Sequence, residues 1–160
     1  MEKRTTPPPN VIDATRKYSV TVHTSRGDFV IALVEPKVAP LTVNNFVYLA
    51  QNHFYDGLTF HRVVPGFVVQ GGDPLGNGTG GPDYKLPDES NPSKWPRGTL
   101  GMASSAAGVS GSQFFVVLGD APFLATNGVY NRFGEVTSGM DVIDKIQVGD
   151  TMRSLDVSAS

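Results

Sequence analysis

From Lys17 to Thr24 hydrophobic and polar positions alternate, which is the period of a half-buried strand. Ser25-Arg26-Gly27-Asp28 reads as a turn, and Phe29 to Val34 as the returning strand of a hairpin. The period then changes. Val43, Phe46, Val47 and Ala50 fall at i, i+3, i+4 and i+7, one apolar stripe that predicts a helix over Pro40 to Asn52. Pro40 sits near its start, where a missing N–H does no harm. A second helix is expected from Ser138 to about Ile146, with Met140, Ile143 and Ile146 on its buried face. Ser138 and Asp141 resemble a capping box at its start. Between the helices lie β-like segments at Thr59 to Val64, Phe67 to Gln70, Thr99 to Ala103, Gln113 to Leu118 and Tyr130 to Val136, and Leu155 and Val157 alternate as a closing strand. Many strands with two isolated helices predict a β-barrel, because closure removes exposed sheet edges. The two amphipathic helices would then cover its open ends.

Composition narrows this picture. At 160 residues the chain is expected to form one domain with a real core. Its 18 glycines and 12 prolines favour short strands joined by turns over a helical bundle. Charged residues are 18% of the chain and the net charge is -2, so nothing draws it to phosphate or to a membrane surface. There is no cysteine, which removes disulfides and thiolate chemistry. His23, His53 and His61 lack metal-ligand spacing, so no metal and no cofactor are expected. Residues 1–15, with Pro7-Pro8-Pro9, read as a flexible leader ahead of a domain over residues 16–158. The leader lacks the apolar core of a signal peptide. The expected location is the cytoplasm, with an exported or membrane-tethered domain cut from its anchor as the alternative.

The run from Phe60 to Asp73 sets Arg62 and Gln70 in an otherwise apolar, β-prone stretch, with a Pro65-Gly66 turn between them. A buried arginine without a partner is costly. It either pairs with a carboxylate or is a donor awaiting a ligand, and taken alone the ion pair is the favoured reading. Strict alternation puts Phe60, Arg62 and Val64 on one face, and Val68 with Gln70 on one face. His61 then points away from Arg62, as a hydrogen-bonded core histidine. In the next strand Gln113 and Phe115 share a face, opposite Phe114 and Val116. If the polar faces meet, they form an apolar pocket bordered by one arginine and two glutamines.

Other motifs carry less. Gly76, Gly78 and Gly81 fit G-x-G-x-x-G, but Pro82, Pro87 and Pro92 follow, so no helix opens for a dinucleotide. Asn77-Gly78-Thr79 and Arg26-Gly27-Asp28 read as turn chemistry. Ser110-Gly111-Ser112 is not a nucleophile elbow. The pocket could bind, orient and polarise, but offers no evident covalent chemistry.

Taken together, Phe54-Tyr55-Asp56-Gly57, Thr59-Phe60-His61-Arg62, Pro65-Gly66-Phe67-Val68-Val69-Gln70-Gly71-Gly72-Asp73, Gly78-Thr79-Gly80-Gly81, Gly98-Thr99-Leu100, Gly111-Ser112-Gln113-Phe114-Phe115 and Phe133-Gly134-Glu135-Val136 resemble the cyclophilins, the peptidyl-prolyl cis–trans isomerases, and most of all their compact bacterial members. The resemblance runs from about Lys17 to Val157, and the ordered set is far more specific than any one piece. It implies a mainly β fold, an eight-stranded antiparallel barrel capped by two helices, and isomerase activity at X–Pro bonds. A proline-peptide binding module or chaperone with incidental isomerase activity is the alternative.

The resemblance also implies roles. Arg62, Gln70 and Phe67 are the catalytic positions, with Arg62 as the catalytic arginine. Phe60, Val68, Ala103, Ser104, Gln113, Phe115, Phe123, Leu124 and Tyr130 are substrate-binding positions. Val68 stands where many members carry methionine, and Ser104 where asparagine is usual. Ser105-Ala106-Ala107-Gly108-Val109 lacks the usual Gly-Pro-Asn run, so substrate preference could shift. Phe123 replaces the tryptophan of cyclosporin-sensitive members, which implies reduced affinity for that drug. The loop Ala125 to Val129 is one residue longer than usual, and across that insertion Tyr130 aligns with a rim position often held by histidine. The implied partners are proline-containing peptides and folding proteins, without nucleic acid or membrane insertion, and the implied state is a monomer.

Overall fold

The computed structural model describes residues 6–82, 84–90, 94–105, 108–121 and 130–160. The first alternating segments form the expected antiparallel hairpin, β1 (Tyr18–Thr24) and β2 (Gly27–Leu33), with Val20 opposite Ile31 and Val22 opposite Phe29. All four of these side chains are buried. The Thr24 hydroxyl donates to the Gly27 carbonyl at 2.7 Å, so the Arg-Gly-Asp triplet serves as a tight turn.

The apolar stripe produces α1 (Pro40–Gln51), with Val43, Phe46, Val47 and Ala50 buried. Phe46 stands at the centre of the core, its ring centroid 5.2 Å from Tyr55, 5.5 Å from Phe114 and 5.0 Å from Phe133. The outer side of α1 receives part of the leader. Asn44 donates to the Pro9 carbonyl at 3.1 Å and accepts from the Val11 N–H at 2.7 Å, and Ile12 packs on the core. Residues 9–12 therefore lie along α1.

The remaining strands among the described residues are β3 (Phe60–Val64), β4 (Val68–Gly71), the short β5 (Lys85–Leu86), β6 (Thr99–Ser105), β7 (Gly108–Val117), β8 (Arg132–Ser138) and β9 (Met152–Ala159). They join one antiparallel sheet in the order β3-β4-β7-β6-β8-β2-β1-β9, with β5 added beside β7. The sheet curls until its ends meet. Thr59 bridges Thr151, the Phe60 N–H donates to the Asp150 carbonyl at 2.9 Å, and the Met152 N–H donates to the Leu58 carbonyl at 2.8 Å. This is the eight-stranded, helix-capped architecture that the sequence implies.

The second helix is shorter than its pattern suggests. α2 spans only Met140–Ile143, and Ser138 belongs to β8. The expected capping box is absent, because Gly139 is the N-cap at φ 92 and no side chain caps the helix. A Cβ at Gly139 would come within 2.6 Å of the Asp28 carbonyl and of Phe29 Cβ, so the chain turns there where only glycine fits.

Buried apolar side chains form two groups. The larger fills the barrel, around Val22, Phe29, Ile31, Phe46, Leu100, Met102, Phe114 and Phe133. The smaller contains Val68, Trp95, Phe115, Val117 and Ala121, with Val64, Phe67 and Tyr130 packed against it. The smaller one lies on the outer face of β4 and β7, because alternate residues of those strands, Val69, Phe114 and Val116, belong to the barrel interior.

Candidate functional site

Three strands build the site from their outer faces. β4 presents Val68 and Gln70, and β7 presents Phe115 opposite Gln70 in register. β3 departs from strict alternation. Phe60 pairs with Gly71 and Arg62 with Gln70, so His61 is an extra, bulged residue. The bulge corrects the expected face. Phe60 and Val63 go to the barrel core, whereas Arg62 and Val64 take the outer side with Val68 and Gln70.

A cavity of about 500 Å³ opens over this face, lined by His61, Arg62, Phe67, Val68, Gln70, Asn77, Gly78, Ala103, Ser104, Phe115 and Tyr130. That volume is in the range of small-ligand pockets, roughly 300–1,000 Å³. The expected residues Arg62, Phe67, Val68, Gln70, Ala103, Ser104, Phe115 and Tyr130 are thus brought together. Gln113 stands behind Gln70, whose side-chain amide donates to Gln113 Oε1 at 3.2 Å. Phe60 is not in the lining, and Phe123 and Leu124 lie outside the described residues. His61, Asn77 and Gly78 line the cavity without having been expected there.

Arg62 is exposed rather than buried. It forms no ion pair among the described residues, and its Nη1 donates to Gln70 Oε1 at 3.3 Å. The favoured reading of a structural ion pair is therefore corrected. The guanidinium stands on the outer face, where water solvates it and no carboxylate is needed. Arg97, beside another cavity of about 470 Å³, is by contrast bound to Asp144 at 2.6 Å.

His61 is not the satisfied core histidine expected. Its Nδ1 is buried without a hydrogen-bond partner among the described residues. Burial holds its pKa below the ordinary 6.5, the Asp73 carboxylate opposes that, and the Arg62 charge adds to it.

The cavity floor is aromatic. Phe115 stacks on Trp95 at 5.7 Å and 15°, and Tyr130 meets both rings edge-on, at 5.4 Å from Phe115 and 6.4 Å from Trp95. The space for the indole comes from Gly101, where a Cβ would lie 2.6 Å from Trp95 and 2.9 Å from Phe115. A tryptophan between Lys94 and Pro96 gave no periodic signal, so only packing reveals its role. The two candidate serines are structural. Ser112 Oγ donates to the Gly72 carbonyl at 2.7 Å, and Ser110 Oγ accepts the Gln113 N–H at 2.9 Å.

The arrangement can hold a small apolar ring against Phe67, Val68 and Phe115 and aim a cationic donor at one side of it. Comparison with known proteins gives this geometry a family. The family described as cyclophilin type peptidyl-prolyl cis-trans isomerase/CLD matches residues 19–159. The chain is 51% identical over 124 residues to peptidyl-prolyl cis-trans isomerase B of Bacillus subtilis, covering 76% of this chain and 85% of the relative. It is 45% identical over 144 residues to a Helicobacter pylori peptidyl-prolyl cis-trans isomerase, covering 88% and 86%. Among solved structures it is similar to a Cryptosporidium parvum cyclophilin type peptidyl-prolyl cis-trans isomerase, with a TM-score of 0.81, 29% identity, and coverage of 90% of this chain and 99% of that one. The crystal structure of that protein in the presence of the dipeptide Ala-Pro matches with a TM-score of 0.78.

Proposed function

The chain belongs to the cyclophilin-type peptidyl-prolyl cis–trans isomerases and is an enzyme of that class, and we propose that it rotates X–Pro bonds by hydrogen bonding from Arg62 to the twisted imide in the cavity beside Phe115. The bond resists rotation because the nitrogen lone pair is delocalised, with a general peptide barrier of ~18–20 kcal/mol. Uncatalysed X–Pro exchange takes roughly tens to hundreds of seconds. In the twisted transition state the lone pair localises on the proline nitrogen and accepts a hydrogen bond that is weak in the planar ground state. A donor placed there stabilises the transition state selectively.

A turnover of ~100–1000 s⁻¹ requires lowering the barrier by about 5–7 kcal/mol. One charge-assisted hydrogen bond contributes roughly 1.5–3 kcal/mol. The remainder is assigned to Phe67, Val68 and Phe115 clamping the ring, to exclusion of water, and to donors on the rotating carbonyl. Ala103 and Ser104, on the rim beside a register shift in β6, are assigned to the peptide backbone on either side of the proline. The observation that carries this reading is Arg62, a guanidinium without an ion pair among the described residues, beside an aromatic floor.

Proline-containing peptides and folding proteins are the substrates proposed. Cyclosporin should bind weakly, and Phe123→Trp should strengthen its inhibition. The test of the mechanism is exchange of an Ala-Pro-Phe peptide followed by NMR. Wild type should accelerate exchange and Arg62→Ala should lose roughly 10- to 150-fold in kcat/KM, the equivalent of one charge-assisted bond. Equal rates in the two proteins would overturn the role of Arg62. Peptide binding without acceleration by either would make the chain a recognition module.

A further inference from the structure

We propose that Asp73 is a positioning residue for Arg62, acting through the glycine-rich loop and a directed relay of two glutamine side chains. The inference rests on the reading of Arg62 given above.

The relay has a direction. Gln113 donates from Nε2 to the Gly78 carbonyl and to the Gly80 carbonyl, both at 3.0 Å. Those bonds use both of its amide hydrogens. Its oxygen is therefore left for Gln70, which donates from Nε2 at 3.2 Å. Gln70 in turn has only its oxygen free toward β3, and that oxygen accepts from Arg62 Nη1 at 3.3 Å. If either amide were reversed, Gln70 would turn its NH2 toward the guanidinium, donor against donor. The two loop carbonyls thus set which end of Gln70 faces Arg62.

Asp73 holds those carbonyls in place. It is 1% exposed, at the start of the loop. One carboxylate oxygen accepts from the Leu75 N–H at 2.9 Å, and the other accepts from the N–H groups of Asn77, at 2.9 Å, and Gly78. Burial pushes its pKa up, but the backbone donors of Leu75, Asn77, Gly80 and Gly78 outweigh burial and leave it below the ordinary 3.8. The loop also makes room for the carboxylate. A Cβ at Gly80 would lie 2.0 Å from Asp73 Oδ1. An Asn at position 73 keeps the shape but turns one acceptor into a donor facing N–H groups.

The test is a double-mutant cycle on kcat and KM with the Ala-Pro-Phe peptide, using wild type, Asp73→Asn, Gln113→Ala and the double variant. Asp73→Asn alone should lower kcat about tenfold with KM changed less than about twofold, since misplacement away from the reacting atoms acts mainly on the transition state. In the Gln113→Ala background the same change should cost less than about twofold, because the relay is already cut. In Asp73→Asn the Gln113 side-chain amide hydrogens should exchange with solvent faster than in wild type. An equal loss of kcat in both backgrounds would overturn the proposal. Should Asp73→Asn fail to fold, Gly80→Ala displaces the carboxylate instead and should give the same non-additive pattern, and additivity there overturns it equally. The Arg62→Ala result separates the two readings. A rate insensitive to Arg62 refutes the mechanism, whereas a rate that collapses without Arg62 beside an additive cycle refutes only the relay.

Discussion

Gly101 has no side chain, and the consequence is felt in the cavity floor. Trp95 and Phe115 fill the volume a methyl group would need, with approaches of 2.6 and 2.9 Å. Gly101→Ala should therefore cost about 1–3 kcal/mol by overpacking, read as a lowered urea midpoint, and should tilt the Phe115 ring proposed to meet the substrate. A midpoint equal to wild type would mean the floor is not close-packed. Trp95 is the single tryptophan of the chain, so its fluorescence belongs to this site alone. Titration with the Ala-Pro-Phe peptide should change its emission saturably. A flat signal at concentrations where NMR shows the peptide bound would remove the peptide from above Phe115. At this scale much was legible. Arg62, Gln70 and Phe115 stood out as polar or aromatic residues on apolar strands, and alternation gave the correct faces of β4 and β7. It failed in β3 because the bulge at His61 adds one residue against β4. Nothing local marks a bulge that depends on the partner strand's register.

A helix is a readable period with a less readable start. Ala39 is the N-cap of α1 and makes no side-chain cap bond. The missing acceptor comes from a distant loop. Glu89 accepts from the Leu41 N–H at 3.0 Å and the Thr42 N–H at 2.7 Å, the donors an N-cap side chain would satisfy. Asn131 holds the loop in place, accepting the Glu89 N–H at 2.8 Å and donating to the Pro87 carbonyl at 3.0 Å. Glu89→Ala should destabilise the protein by about 1–2 kcal/mol, as loss of a cap and of a negative charge at a helix N-terminus does. Glu89→Gln, which keeps an acceptor, should lose less, and denaturant unfolding of the two variants checks the order. Equal stability of wild type and Glu89→Ala would show that water caps α1 as well. The same limit explains α2. Ser138 and Asp141 had capping spacing, but Ser138 is drawn into pairing with Val30 of β2, and sheet pairing outweighed the local signal.

Across the whole molecule, the eight strands of the main path, helix placement and curl followed from alternation, glycine and proline spacing and the resemblance, whereas the two-residue β5 gave no signal in the sequence. What ties neighbouring strands at the surface did not, because it joins residues far apart in the chain. His23 on β1 reaches both flanking strands, with Nδ1 3.0 Å from Asp28 Oδ1 on β2 and Nε2 2.8 Å from Asp156 Oδ2 on β9. Asp156 first, then Asp28, raises its pKa above the ordinary 6.5, against a small opposing effect of burial. A group whose folded pKa is raised binds its proton more tightly when folded. Its contribution is therefore full below 6.5 and fades as pH climbs through the raised value. The contacts are solvent-exposed and salt-screened, so the effect is small. The Tm of wild type should exceed that of His23→Gln at about pH 5.5, and the gap should narrow by about pH 9 and in added salt. A gap that is constant, or that widens with pH, would mean that His23 joins the three strands as a neutral hydrogen-bonding ring, and that the barrel surface carries no proton-linked clamp there.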